Sequence, residues 1–158
     1  MTAVDDEKSL AETDNYKKAK AIALLKATEY VEDYASTEHI LLGLLAIRGC
    51  AAIKVLRRIG ISKTAVYKDL RRYITKGYKR RKEEVGWTPR ALRIFYLAEH
   101  EAEQLGNNYL GTEHLLLSLI REQDGLAGRT LTRLGVKLEA ARKVTTVAQG
   151  HKPIDNPR

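Results

Sequence analysis

The feature that most constrains this chain is an internal duplication. Residues 36–45 read Ser-Thr-Glu-His-Ile-Leu-Leu-Gly-Leu-Leu, and residues 111–120 read Gly-Thr-Glu-His-Leu-Leu-Leu-Ser-Leu-Ile. A shift of 75 residues superposes the two segments and, without a gap, aligns further identical pairs from Ala23 and Ala98 to Gly60 and Gly135. An ungapped match of roughly fifty residues indicates two copies of one unit. A unit of this size is marginal for an independent core, so we expect both copies to share one buried centre.

Apolar residues recur at helical spacing in both copies, and no stretch shows strand alternation. Thr88-Pro89 is an N-cap followed by proline at the first helical position, where the missing N–H costs nothing. The pattern predicts an all-α fold of eight helices in two pseudo-symmetric four-helix halves. The predicted helices cover about residues 13–31, 37–47, 50–58, 62–73, 88–105, 112–122, 126–134 and 137–148.

The same pattern divides the chain into a flexible leader (1–12), repeat 1 (13–75), a basic linker (76–87), repeat 2 (88–148) and a disordered tail (149–158). No apolar run approaches the roughly 20 residues of a membrane-spanning helix, so no membrane partner is expected. The start, Met1 to Asp6, is polar and acidic, which predicts a cytoplasmic location without a secretory signal.

Several classes of chemistry lack their motifs in this sequence. There is no Gly-rich phosphate-binding loop, no serine nucleophile motif and no His-Glu-x-x-His. Glu38-His39 and Glu113-His114 are adjacent pairs that point in different directions on a helix, so we expect packed, hydrogen-bonded histidines rather than metal ligands. Cys50 is the only cysteine and is predicted to be a small core residue. The chain is therefore expected to have no metal site, no cofactor and no enzymatic activity.

One spacing nevertheless suggests a binding site. Thr13 precedes Glu38 by 25 residues, and Thr88 precedes Glu113 by the same 25. A capping threonine and a first-turn glutamate in each repeat are expected to converge where two helix N-termini meet. The helix ends would offer amides and a hydroxyl to an anion, beside a carboxylate for a cation, which suits a phosphate carried on a guanidinium. The acids alternatively only complement the helix dipole.

These residues resemble a known family, the duplicated N-terminal (Clp repeat) domain of ClpC-type Hsp100 unfoldases, with a mycobacterial or wider actinobacterial character. The resemblance rests on both Thr-Glu-His segments, on Trp-Thr-Pro-Arg-Ala at 87–91, on Leu-Gly-Asn-Asn-Tyr-Leu-Gly-Thr-Glu-His at 105–114 and on Gly-Leu-Ala-Gly-Arg-Thr-Leu-Thr-Arg-Leu-Gly-Val at 125–136. It spans about residues 10–148.

The resemblance implies a non-catalytic domain that docks clients and adaptors onto a ClpC unfoldase. In domains of this kind each repeat binds a phosphorylated arginine, which implies sites at Thr13 with Glu38 and at Thr88 with Glu113. Arginine-phosphorylated or unfolded clients, Clp adaptors and the ClpC unfoldase are the implied partners. Related mycobacterial domains also bind cyclic-peptide antibiotics, on a surface that here would include Trp87.

The sequence departs from the family pattern in repeat 1. Residues 12–16 read Glu-Thr-Asp-Asn-Tyr, without the aromatic residue before the threonine and without the arginine two residues after it. The first site is therefore expected to be the less complete. The ATPase modules that follow in the family are not in this sequence, which suggests a stand-alone paralogue acting as a docking module or decoy; an excised domain is the alternative.

Two other functions stay open. Residues 71–82 contain seven of the positive charges behind the net charge of +8, with Tyr73 and Tyr78 among them, so a nucleic-acid or polyanion binder is one alternative, although no nucleic-acid-binding module surrounds them. A structural interaction domain with decayed ligand sites is the other.

Overall fold

A computed structural model describes residues 10–149. Within them the chain forms the eight helices that the periodicity predicts, four in each repeat. Repeat 1 contains α1 (Asp14–Glu29), α2 (Thr37–Ala46), α3 (Ala51–Ile59) and α4 (Lys63–Tyr73), and repeat 2 contains α5 (Pro89–Gln104), α6 (Thr112–Arg121), α7 (Leu126–Arg133) and α8 (Leu138–Gln149). The predicted all-α class is confirmed.

The structure adds a small amount of extended pairing that the sequence does not indicate. Four two-residue strands precede helices, β1 (Ala11–Glu12), β2 (Tyr34–Ala35), β3 (Gly86–Trp87) and β4 (Tyr109–Leu110). They form two parallel pairs, β1 with β4 and β2 with β3. Two residues are too few to show alternation, so no periodicity in the sequence indicates these strands.

Both strand pairs join one repeat to the other. β1 and β3 are equivalent under the 75-residue shift, as are β2 and β4, so the two pairs are related by the pseudo-two-fold symmetry. The equivalent residues Lys20 and Phe95 meet between the repeats, with the lysine Nζ 5.1 Å from the ring centroid. The crossing confirms that the two copies do not stand apart.

One hydrophobic core runs through both repeats. The α2 and α6 runs supply its centre, where Leu41, Leu44, Leu116 and Leu119 are buried, and the predicted core residue Cys50 is buried beside them. Gly43 lets α2 approach α1 closely, because a Cβ at this position would lie 2.5 Å from the Ala19 carbonyl oxygen. Continuous burial explains why these helices have apolar residues all round.

The α1 helix sets where the binding residues stand. Thr13 is its N-cap, whereas the start of α2 lies at its other end, since the rings of Tyr30 and His39 are 6.2 Å apart. The 16 residues of α1 span about 24 Å at 1.5 Å per residue. Thr13 and Glu38 are therefore held at opposite ends of one helix.

Part of the predicted domain division lies outside the described residues, namely residues 1–9 of the leader and 150–158 of the tail. Residues 11 and 12, assigned to the leader, form β1, and residue 149, assigned to the tail, ends α8.

Candidate ligand-binding site

The Thr-Glu-His segments begin their helices in the same way. Ser36 and Gly111 are the N-caps, and the backbone N–H of each donates to Nδ1 of the histidine three residues later, at 2.9 Å in both repeats. His39 and His114 thus take the place of the glutamate in a capping box. Burial lowers the pKa of His39 to about 4 and that of His114 to about 3, so both rings are neutral acceptors at pH 7. The expectation of packed, hydrogen-bonded histidines is confirmed.

A threonine just before an apolar helical run is typical of an N-cap, but the threonines of the two segments do not cap their own helices. Thr37 and Thr112 are the first helical residues, and their hydroxyls reach across the repeat boundary. The Thr37 Oγ1 accepts from the N–H of Ala127 at 3.3 Å, and the Thr112 Oγ1 accepts from the N–H of Ala52 at 3.0 Å. Each threonine caps a helix of the other repeat, α7 or α3, whose N-cap residues make no side-chain cap of their own.

The strand pairs also correct the grouping of threonines and glutamates. The N–H of Thr13 donates to the carbonyl of Leu110 at 2.8 Å, and the N–H of Thr88 donates to that of Ala35 at 3.0 Å. Thr13 therefore lies beside the start of α6, and Thr88 beside the start of α2. Each capping threonine faces the acid of the other repeat because α1 and α5 separate the two groups within a repeat.

One of these composite sites, here called the open site, consists of Ser36, Glu38, Trp87, Thr88 and Arg90. The Thr88 hydroxyl caps α5 by accepting from the N–H of Ala91 and donates to the Ser36 Oγ at 2.8 Å. The side chain of Glu38 is 18% exposed, and burial raises the pKa of its carboxyl. Trp87 is half-buried and meets the Phe95 ring edge-on, with centroids 4.9 Å apart.

Arg90 belongs to the open site although the sequence argument did not select it. Arg90 follows Thr88 by two residues, and its positive charge lowers the pKa of the Glu38 carboxyl, although burial has the larger effect and raises it. Its Nε lies 3.7 Å from Glu122, whose carboxylate also accepts from the N–H groups of Asp124 and Gly125. The sequence signal for Arg90 is its position in the Trp-Thr-Pro-Arg segment, two residues after the capping Thr88.

The second composite site, here called the closed site, consists of Thr13, Tyr109, Glu113 and Gln149. Glu113 is fully buried and Thr13 is 4% exposed. The Tyr109 hydroxyl and the Gln149 amide each lie 3.4 Å from a Glu113 carboxylate oxygen. Because Gln149 ends α8, that helix covers the acid.

The incomplete sequence segment and the covered acid occur in the same site. The β1–β4 pair brings residues 12–16 to the closed site, beside the helix that bears Glu113. Under the 75-residue shift, Glu12 and Asn15 occupy the positions that Trp87 and Arg90 have in the open site. Glu12 pairs with Lys20 at 2.9 Å instead of presenting an aromatic ring. The complete Trp-Thr-Pro-Arg segment of repeat 2 lies beside the Thr-Glu-His segment of repeat 1, in the open site. The roles of Thr13, Glu38, Thr88 and Glu113 in ligand binding stay predictions.

The basic segment 71–82 lies on the surface. The Asp33 carboxylate accepts from the N–H groups of Arg81 and Lys82 at 2.8 and 2.9 Å, which anchors the linker and lowers the pKa of Asp33. Tyr78 is fully exposed and Tyr73 is 47% exposed. The polyanion hypothesis stays a prediction.

Among residues 10–149 there is no group of three or more side chains from His, Cys, Asp and Glu that could hold a metal ion. In the same range no single helix is long and apolar enough to cross a membrane. The α2–α3 pair together meets the length and composition criteria, but it is bent by 91°.

The duplicated helical unit and its composite sites define a two-repeat helical domain. The sequence profile of the Clp repeat (R) N-terminal domain family matches residues 13–134 and again 87–157. The chain therefore belongs to the Clp repeat N-terminal domain family.

Curated relatives agree with this assignment. Over 131 residues the chain is 38% identical to the negative regulator of genetic competence ClpC/MecB of Bacillus subtilis, covering 83% of this chain and 16% of that protein. It is 39% identical over 123 residues to the chloroplastic chaperone protein ClpC of Pisum sativum, covering 78% of this chain and 13% of the relative. The chain thus spans about one-sixth or less of these proteins.

Solved structures show the same fold. The N-terminal domain of Hsp104 from Candida albicans superposes with a TM-score of 0.75 at 17% identity, covering 92% of this chain and 96% of that one. The N-terminal domain of ClpD from Arabidopsis thaliana gives a TM-score of 0.65 at 22% identity, covering 86% and 92%.

Proposed function

We propose that this chain is a non-catalytic recognition domain that docks client or adaptor proteins for a Clp-type unfoldase, and that phosphorylated arginine side chains bind at its open site. Membership of the Clp repeat family supports the docking role. The β2–β3 pair supports the ligand class, because it joins a carboxylate to hydroxyls and a guanidinium in one accessible place.

The two charges of phosphoarginine match the two sides of the open site. The Glu38 carboxylate suits the guanidinium, since charge-assisted pairs of this kind are short and directional. The Ser36 and Thr88 hydroxyls, the start of α5 and Arg90 suit the phosphate, because helix N-termini and arginines favour anions. We propose that this one site accepts both groups of the ligand.

The closed site is proposed to bind only after a rearrangement. Glu113 has no exposed surface, and the end of α8 covers it through Gln149. A ligand guanidinium would have to displace that amide before it reached the carboxylate. We therefore expect one phosphoarginine per chain in the described conformation. Trp87 remains the residue for a proposed cyclic-peptide surface.

A calorimetric titration with free phosphoarginine tests the proposal. Glu38→Gln keeps the shape of the side chain but removes its charge, and losing a hydrogen bond to a charged group costs about 1.5–3 kcal/mol, so we expect affinity to fall at least tenfold. Glu84→Gln, in the exposed linker, is the matched control and should bind like the parent chain.

Two results would contradict phosphoarginine binding. One is equal affinity for arginine and phosphoarginine, and the other is unchanged affinity in Glu38→Gln. Affinity should also weaken on acidification at a higher pH than for an ordinary glutamate, because burial raises the pKa of Glu38 and the protonated form cannot pair with a guanidinium.

A further inference from the structure

A cavity outside the composite sites lies where α1, α2 and α4 meet. Its volume is about 400 Å³, and its wall is mostly apolar. The lining includes Tyr30, Leu42, Leu45, Ala46 and Tyr67, with Lys26, Glu29, Lys63 and Thr64 at the polar positions. None of the open-site residues lines it.

The duplication supplies an internal comparison for this cavity. Under the 75-residue shift, Lys26, Ala46 and Tyr67 correspond to Glu101, Arg121 and Arg142. In repeat 2 these three form an ion-pair cluster on a fully buried carboxylate. Arg142 donates to Glu101 at 2.6 and 3.0 Å, and Arg121 donates to it at 3.5 Å.

Repeat 1 has a different residue at each position of that cluster. The methyl group of Ala46 stands in place of a long arginine, and Lys26 replaces the acid, so the sign of the charge at that one position is reversed. Within residues 10–149, Lys26 pairs with Glu29 of its own helix at 3.1 Å. The apolar residues beneath, Leu42 and Leu45, correspond to Leu117 and Ile120 and are retained as a floor.

The charges around the cavity indicate which ligand fits. Among the described residues, its lining includes two cations, Lys26 and Lys63, and one acid, Glu29. The exposed side of α4 adds Lys68 and Arg71 beyond Lys63. A ligand with an apolar side chain next to carboxylates would pack on the apolar floor and place its carboxylates near these positive side chains.

We propose that this cavity, here called the repeat 1 pocket, is a second docking site that takes an aromatic or large aliphatic side chain of a partner protein from a segment flanked by acidic residues. A volume of about 400 Å³ is enough for one such side chain and its neighbours. The apolar floor binds the anchor, and Lys26 and Lys63 bind the adjoining carboxylates. The site acts independently of phosphoarginine binding.

The test uses fluorescence anisotropy with a labelled Gly-Glu-Asp-Leu-Phe-Asp-Glu-Gly peptide. One comparison peptide carries serine in place of leucine and phenylalanine, and another carries lysine in place of the four acids. We expect the first peptide to bind and both comparison peptides to bind at least about tenfold more weakly.

The Ala46→Arg substitution distinguishes binding in the cavity from binding by charge attraction alone. The new side chain restores the arginine of repeat 2 and fills the cavity, while it adds a positive charge that would strengthen attraction of an acidic peptide. Ala46 is exposed in the last turn of α2, where a cation is favourable, so the fold should be retained, as the melting temperature will show. We expect peptide affinity to fall about tenfold or more.

Val147→Arg is the matched control, because it adds the same charge at an exposed position of α8 and should leave affinity unchanged. Glu38→Gln should also leave it unchanged, which distinguishes this pocket from the open site. Equal or tighter binding in Ala46→Arg, equal binding of the serine peptide, or no binding of the first peptide would overturn the proposal. A dimer that Ala46→Arg dissociates would instead make a second copy of the chain the occupant and also overturn it.

Discussion

At the scale of single residues, the Thr-Glu-His segment serves three purposes at once. The histidine caps its own helix, the threonine caps a helix of the other repeat, and the glutamate between them faces a composite site. Adjacent helical positions point in different directions, so three neighbours can serve three different partners. The near-identity of the two segments therefore reflects folding requirements as well as any ligand.

The buried histidines predict that stability depends on pH. The folded pKa of His39 is about 4 and that of His114 about 3, below the value near 6.5 of an unfolded chain. As the pH falls below about 6.5 the unfolded state gains the extra proton, so each histidine lowers the free energy of unfolding by up to about 1.4 kcal/mol per pH unit. The loss ends near the folded pKa values.

Urea unfolding between pH 7 and 4.5 measures this slope. His114→Gln keeps a capping-box acceptor but does not titrate, so its slope should be shallower than that of the parent chain. His100→Gln is the control for the substitution itself, because His100 is half-buried and lies outside both Thr-Glu-His segments. Identical slopes in all three proteins would contradict the assignment of neutral, buried rings.

At the scale of elements, the caps exchanged between repeats tie α3 to α6 and α7 to α2. The N-cap positions of α3 and α7 are Cys50 and Gly125, and neither provides a side-chain cap. A Cβ at Gly125 would lie 2.6 Å from the Thr37 Oγ1, so glycine makes room for the incoming hydroxyl. The capping side chain of each helix is thus 60 or 90 residues away in sequence.

Thr112→Val tests the exchanged cap. Valine has nearly the shape of threonine but leaves the N–H of Ala52 without its acceptor, and loss of a cap costs about 0.5–2 kcal/mol. We expect a loss near the upper end because Thr112 is fully buried. Thr28→Val is the control, since that exposed hydroxyl donates to the Leu24 carbonyl within α1 and its loss should change stability by less than about 0.5 kcal/mol. Equal effects in urea unfolding would argue against capping between repeats.

At the scale of the whole molecule, neither repeat completes its own hydrogen bonds. Both strand pairs and both exchanged caps cross between repeats, and the core is continuous through α2, α3, α6 and α8. A unit of about 75 residues also buries too little surface to fold easily alone. The two copies form one continuous packed structure, which agrees with the shared core expected from the sequence.

Separated halves should therefore not fold. A fragment of residues 10–75 is expected to show little helix by circular dichroism and no cooperative unfolding, and to regain helix when mixed with residues 76–149. The control is the intact chain cleaved once at a protease site inserted beside the exposed Tyr78, which should stay folded because both halves are already assembled. Cooperative unfolding of the fragment alone would contradict a shared core.

The sequence alone determined the duplication, the eight helices, the N-caps at Thr13 and Thr88, the buried histidines and membership of a two-repeat helical family, because these depend on periodicity and on contacts a few residues apart. Only the tertiary structure decided which threonine meets which glutamate. Since the two copies are equivalent, pairing within a repeat and pairing between repeats use the same residue types, and only the length of α1 separates the two arrangements. The burial of Glu113 and the cavity beside Ala46 likewise depend on where α8 and α4 pack. No local sequence pattern predicts the position of a helix relative to a distant part of the chain.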